Sequence, residues 1–231
     1  MSEWTKLTAQ DGHELSAYIA KPEGTPVGAL VIVQEIFGVN SHIRSVADSY
    51  AKEGYLCVAP ALFDRIERNL ELSYSPDDMK KAFALYPQLK PELSLLDVAA
   101  AGKMAAELSG GKKIGVIGFC YGGLVTWLSA TRGPENGIHP AACVCFYPGG
   151  VGNVAKEQPS CPVMIHFGAQ DTHIGKDQVD AVRSAHPDVQ VFVYEGAGHA
   201  FNRDPDPSAY HLASAQTARE RTLAFLKQNL G

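Results

Sequence analysis

Lys113-Ile114-Gly115-Val116-Ile117-Gly118-Phe119-Cys120-Tyr121-Gly122-Gly123 joins a short apolar run to a glycine-rich turn. The run 113–117 is continuous and rich in β-branched residues, which predicts a strand buried on both faces. A helix is predicted from Tyr121 to about Ala130. Between them, Gly118-x-Cys120-x-Gly122 reads as a sharp strand-to-helix turn in which the glycines remove Cβ atoms from a crowded contact. The central cysteine is then held in a strained conformation with its side chain above the sheet. The competing reading is an inert thiol in a glycine-lined turn, since free cysteine is among the most buried residue types.

The same alternation extends outward from this turn. Toward the N-terminus lie apolar runs at 29–33 and 55–59, separated by a helical stretch at 43–52 that Gly54 stops. The first twenty residues read as a hairpin, with Asp11-Gly12 as a type I′ turn. Residues 61–75 are polar and irregular, and helices at 76–86 and 91–108 each open on a proline. Toward the C-terminus come runs at 141–147, 163–167 and 189–194, with helices at 176–185 and about 208–229. Strands alternating with helices predict an α/β fold: a mainly parallel sheet of about seven to eight strands, helices on both faces. With no repeat or linker, residues 1–231 read as one domain without a separate cap.

Composition narrows the function classes. Hydrophobic residues make up 45% and charged residues 19% of 231, an ordinary globular balance. Twenty basic against 25 acidic side chains give a net charge of −5, and no basic run is present, which argues against nucleic-acid or anionic-membrane partners. No apolar stretch approaches the roughly 18 residues of a spanning helix, and the N-terminus lacks a signal peptide's apolar segment. Five cysteines without repeating spacing do not make a disulfide framework. A soluble cytoplasmic protein, monomeric or a weak homo-oligomer, is expected. No metal, nucleotide or flavin motif is seen, so no cofactor is expected. Cys143 and Cys145 share a strand face but have no companion ligand cluster. Cys57 and Cys161 read as structural, His166 as a core histidine and His173 as a loop residue.

In an open α/β sheet, ligands bind at the carboxyl ends of the strands. Asp171 follows the 163–167 run in Gly168-Ala169-Gln170-Asp171, and His199 follows the 189–194 run in Glu195-Gly196-Ala197-Gly198-His199. Either alone reads as a turn or surface residue. Together, Cys120, Asp171 and His199 stand in the chain order nucleophile, acid, base, which is the order of α/β-hydrolases. Glu35 directly follows the 29–33 run, in the loop that supplies one oxyanion-hole amide in such enzymes. The backbone N–H groups of Ile36 and Tyr121 are the expected donors. For Glu35 two readings stand: interaction with the Cys120 thiol, or an exposed pair with Arg44. Arg203 reads either as a fork for a substrate carboxylate or as a surface partner of Asp204 or Asp206. Phe37, Tyr86 and Tyr147 are candidate pocket aromatics.

These residues resemble the dienelactone hydrolases, or carboxymethylenebutenolidases, across nearly the whole chain. The resemblance is carried by Gln34-Glu35-Ile36-Phe37-Gly38-Val39-Asn40, the 115–123 elbow, the Asp171 loop, and Gly198-His199-Ala200-Phe201-Asn202-Arg203. It implies an α/β-hydrolase that opens dienelactone to maleylacetate in the catabolism of chlorinated aromatics. It also implies a Cys120-His199-Asp171 triad, Glu35 on the thiol, and Arg203 on a substrate carboxylate. The chain departs from that pattern at Ala200, where a serine is usual among the substrate contacts. It departs again in the helix at 76–86, where Met79, with Lys80 and Lys81 beside it, stands opposite a second carboxylate-binding arginine.

Thiol chemistry constrains the substrate independently. A free thiol has a pKa of about 8.5, so forming thiolate at neutral pH costs only about 2 kcal/mol. The harder step is leaving-group expulsion, because a thiolate leaves more readily than an alkoxide. A cysteine nucleophile therefore suits enol-lactones, aryl esters and thioesters, through an acyl-enzyme. The rival readings are a broader esterase or thioesterase, and a thiol redox or electrophile sensor on the same fold.

Overall fold

The computed structural model describes residues 2–231. Strand β3 (Gly28–Val33) and strand β5 (Ile114–Phe119) lie side by side near the middle of an eight-stranded sheet. The others are β1 (Ser2–Thr8), β2 (Glu14–Ala20), β4 (Tyr55–Pro60), β6 (Ala142–Phe146), β7 (Val163–Gly168) and β8 (Gln190–Tyr194). Their order is β1-β2-β4-β3-β5-β6-β7-β8, with β1–β2 and β2–β4 antiparallel and every other pair parallel. The chain moves outward from β3 to β4 and then crosses back to β5. That reversal puts the switch point of the sheet between the carboxyl ends of β3 and β5.

The helices are α1 (Ser41–Lys52), α2 (Pro76–Leu85), α3 (Pro91–Leu108), α4 (Tyr121–Thr131), α5 (Lys176–Ala185) and α6 (Leu212–Leu230). Ile114 reaches toward Gly102 of α3, while the neighbouring Gly115 faces Leu230 of α6. Adjacent strand residues point to opposite faces, so α3 and α6 cover opposite sides of the sheet. Strands β3, β4, β6 and β7 are buried along their whole length. That is why they read as unbroken apolar runs. Among the described residues no helix is long and apolar enough to cross a membrane.

Two local expectations are corrected. Gly12 alone of the Asp11-Gly12 pair has a positive φ, at 83°, and its N–H donates to the Ala9 carbonyl at 2.9 Å. The turn is therefore a type I turn closed by a glycine bulge rather than type I′, which needs positive φ at both central residues. The last helix starts at Leu212, not near Ser208, because Asp206 holds a turn there, with its side chain accepting from the Ser208 N–H and Oγ.

Candidate active site

Cys120 is the single residue between β5 and α4, and its backbone sits at φ 54°, ψ −115°. Positive φ is sterically unfavourable for any side-chain-bearing residue, so neighbours must enforce it. A Cβ on Gly118 would lie 2.0 Å from the Gly122 carbonyl oxygen, and one on Gly122 would lie 2.4 Å from those of Val33 and Gln34. The turn is this tight only because both positions are glycine. The Cys120 N–H donates to the Phe146 carbonyl at 3.0 Å, which ties the elbow to the end of β6.

The loops after β7 and β8 converge on the thiol. His199 Nε2 stands 3.2 Å from Cys120 Sγ, and His199 Nδ1 stands 2.7 Å from Asp171 Oδ2. The other Asp171 oxygen accepts from the His173 and Ile174 N–H groups at 2.8 and 3.0 Å, so Asp171 is a turn residue as well as the imidazole's partner. Burial alone would favour neutral His199. The hydrogen bonds and negative charge of Asp171 and Cys120 outweigh it and raise the imidazole to about 10. Burial likewise pushes Asp171 up, but its hydrogen bond and attraction to His199 prevail, and its carboxyl lies below the usual range. Tyr121 is the first residue of α4, so its N–H has no intrahelical acceptor. The Ile36 N–H has no backbone acceptor among the described residues either.

Glu35 is corrected on both of its expectations. It is fully buried, and its two oxygens receive Arg203 Nη2 and Nε at 3.0 and 3.1 Å. The thiol's hydrogen bond runs to His199 instead, and Arg44 pairs with Glu71. A guanidinium offers two parallel donors to a carboxylate, which a weak S–H donor cannot match. Arg203 is not a surface residue. Its remaining Nη1 donates to Asp206 Oδ2 at 3.2 Å, and its Cζ lies 4.6 and 4.9 Å from the ring centroids of Tyr74 and Phe37.

A cavity of about 370 Å³ opens above Cys120 and His199. Of the expected contacts, Phe37, Tyr86, Ala200 and Arg203 line it, as does Ile36. Tyr147 does not. It is fully buried with its ring 5.1 Å from that of His199, so it packs behind the imidazole. Met79 lines the cavity, whereas Lys80 is exposed and Lys81 pairs with Glu67 at 2.7 Å. Sequence reading missed the wall residues Phe83 and His173, whose ring lies 5.1 Å from that of His199. Nor did any local signal mark the positive φ of Tyr147 and Ala200, at 38° and 60°. His166 does sit in the core, where it bonds Tyr194 and Thr222.

An eight-stranded, mostly parallel sheet with an elbow at the end of β5, a carboxylate after β7 and an imidazole after β8 defines the α/β-hydrolase fold. The chain belongs to the dienelactone hydrolase family, whose model matches residues 15–230. A Pseudomonas putida carboxymethylenebutenolidase is 31% identical over 234 residues, covering 98% of this chain and 96% of its own. A Yersinia pestis protein provisionally named for the same activity is 34% identical over 235 residues, covering 94% and 85%. Among solved structures, a protein from Klebsiella pneumoniae provisionally named a dienelactone hydrolase superposes with a TM-score of 0.83. It is 31% identical and covers 99% of each chain. This chain is accordingly a hydrolase acting on ester bonds.

Proposed function

We propose that the protein hydrolyses activated esters, with enol-lactones of the dienelactone type the best-fitting class, through a Cys120-His199-Asp171 triad and a thioester acyl-enzyme. The observation that carries this reading is the continuous Sγ–Nε2 and Nδ1–Oδ2 contact chain of 3.2 and 2.7 Å. His199 holds the proton given up by the Cys120 thiol, and Asp171 orients the ring and offsets the imidazolium charge. The Cys120 thiolate attacks the ester carbonyl, and the N–H groups of Ile36 and Tyr121 receive the developing oxyanion. Collapse of that intermediate breaks the C–O bond and releases an enolate, which accepts the proton held on His199. A water molecule, deprotonated by His199, then attacks the thioester, and breaking of the C–S bond gives the carboxylic acid and restores the Cys120 thiolate beside the His199 imidazolium.

The elimination of alkoxide is the step a thiolate cannot drive well, which supports an enol, aryl or thiol leaving group over a simple alkyl ester. Cys120→Ala should lower kcat on an enol-lactone by about 10³-fold or more, and Asp171→Asn by about 10²- to 10⁴-fold. Mass spectrometry of a rapidly acid-quenched reaction should find the acyl adduct on the peptide bearing Cys120. Undiminished turnover in Cys120→Ala would refute the reading.

A further inference from the structure

Asp171 positions two imidazoles, not one. Its Oδ2 holds His199 Nδ1 at 2.7 Å, while its Oδ1 accepts from the His173 backbone N–H at 2.8 Å. A further bond to Oδ1, from the Ile174 N–H at 3.0 Å, fixes the turn that carries His173. His173 lines the same cavity as Cys120 and His199, and its ring lies edge-on to that of His199, with 5.1 Å between centroids. The residue is exposed, and neither ring nitrogen has a hydrogen-bond partner among the described residues. A neutral imidazole carries one N–H donor, so His173 offers this cavity a donor that no protein group uses.

The leaving oxygen is the atom that lacks such a donor. The Ile36 and Tyr121 N–H groups serve the carbonyl oxygen, and His199 is engaged by Asp171 at Nδ1 and by Cys120 at Nε2. As the C–O bond lengthens, charge builds on the leaving oxygen before the His199 proton reaches it. A fixed donor at that point stabilises the transition state more than the ground state. An oxygen accepting from Nε2 lies about 3 Å from it, inside the cavity that His173 walls. Tyr86 is the other cavity residue whose polar atom has no protein partner, but its ring packs on Tyr121, at 5.8 Å, rather than on His199.

We propose that His173 is a catalytic residue of this site, donating a ring hydrogen bond to the leaving oxygen as the tetrahedral intermediate collapses. The C–O electron pair goes to that oxygen, the proton comes from His199 Nε2, and His173 keeps its own. The bond strengthens with the basicity of the oxygen, so it counts most where expulsion is hardest. His173 thereby extends the substrate class from the most acidic leaving groups to enols and phenols of weaker acidity. This rests on the cysteine-dependent reading above, because the departing oxygen must there compete with a thiolate.

The test is steady-state kcat/KM, which reports the steps up to departure of the phenol, for the acetate esters of phenol, p-chlorophenol and p-nitrophenol. Wild type, His173→Phe, His173→Gln, Tyr86→Phe and Cys120→Ala are compared. His173→Phe keeps an aromatic ring beside His199 and removes the donor. It should lower kcat/KM on the phenyl ester by about tenfold or more, the effect of one hydrogen bond to a charged oxygen, and on the p-nitrophenyl ester by about threefold at most. His173→Gln, which brings back an N–H donor, should recover most of the loss on the phenyl ester. An equal loss on all three esters, no loss in His173→Phe, or a selective loss in Tyr86→Phe alone overturns the inference and leaves the cysteine-dependent reading intact. Turnover undiminished in Cys120→Ala, or no turnover of any of the three esters by wild type, overturns both.

Discussion

At the scale of single residues, His199 is shared between two acids of different strength. Its imidazole is raised to about 10 in the folded chain, against about 6.5 when unfolded. A group whose folded pKa is the higher one contributes stability that is complete below the unfolded value and is lost as pH climbs through the folded value. Asp171 is shifted down, so its contribution is present above its unfolded value and lost on acidification. The pair should therefore stabilise most from about pH 4 to about 6.5. Urea denaturation of wild type and His199→Gln across pH should show a difference that is greatest in that window. It should then shrink by up to a few kcal/mol as pH nears 10. A difference that grows with pH would mean that the ring is neutral at rest. The choice of Cys120, Asp171 and His199 was legible because each follows an apolar run at a strand's end. The partner of Glu35 was not, since Arg203 is far away in sequence and reaches it only through the fold.

At the scale of elements, most boundaries fall within one or two residues of the sequence reading, because the buried strands are apolar runs bounded by glycine and proline. The exceptions are polar segments. Residues 61–75 read as irregular, yet Leu62–Arg65 forms a 3-10 turn, and residues 208–211 read as helix but are held by Asp206. Side-chain hydrogen bonds decide such segments, and periodicity does not report them. The elbow is the opposite case, since its sequence pattern is the packing constraint itself. Gly118→Ala would bring a Cβ to 2.0 Å from the Gly122 oxygen and 2.3 Å from Thr126 Oγ1. Denaturant unfolding should show a loss of about 3 kcal/mol or more. A loss under about 1 kcal/mol would mean that strand and helix can separate without cost.

At the scale of the whole molecule, His166 links three elements of the sheet and its cover. From β7, its two ring nitrogens bond the Tyr194 hydroxyl of β8 and the Thr222 hydroxyl of α6, at 2.9 and 3.1 Å. Burial, with Arg221 nearby, lowers the ring to about 3. The folded state therefore excludes a proton that the unfolded chain binds below about pH 6.5. A depressed histidine stabilises at pH above its unfolded value, and that stability falls as pH drops toward about 3. Each pH unit in that interval should cost about 1.4 kcal/mol through this group. His166→Gln, which keeps a polar side chain but cannot titrate, should flatten the acid limb of stability against pH. An unchanged limb would assign acid sensitivity to other groups.

The amino-acid order by itself determined which stretches become strands, that they pair mainly in parallel, and that a thiol, an imidazole and a carboxylate stand at strand ends. Those features are written locally, in runs of apolar residues and in glycines that tolerate no Cβ. Tertiary structure alone decided that Arg203 pairs with Glu35 and Asp206, that Tyr147 lies behind His199, and that Met79 rather than a lysine faces the cavity. Such choices depend on which distant side chains share a low-dielectric space, where every buried charge must find its counter-charge.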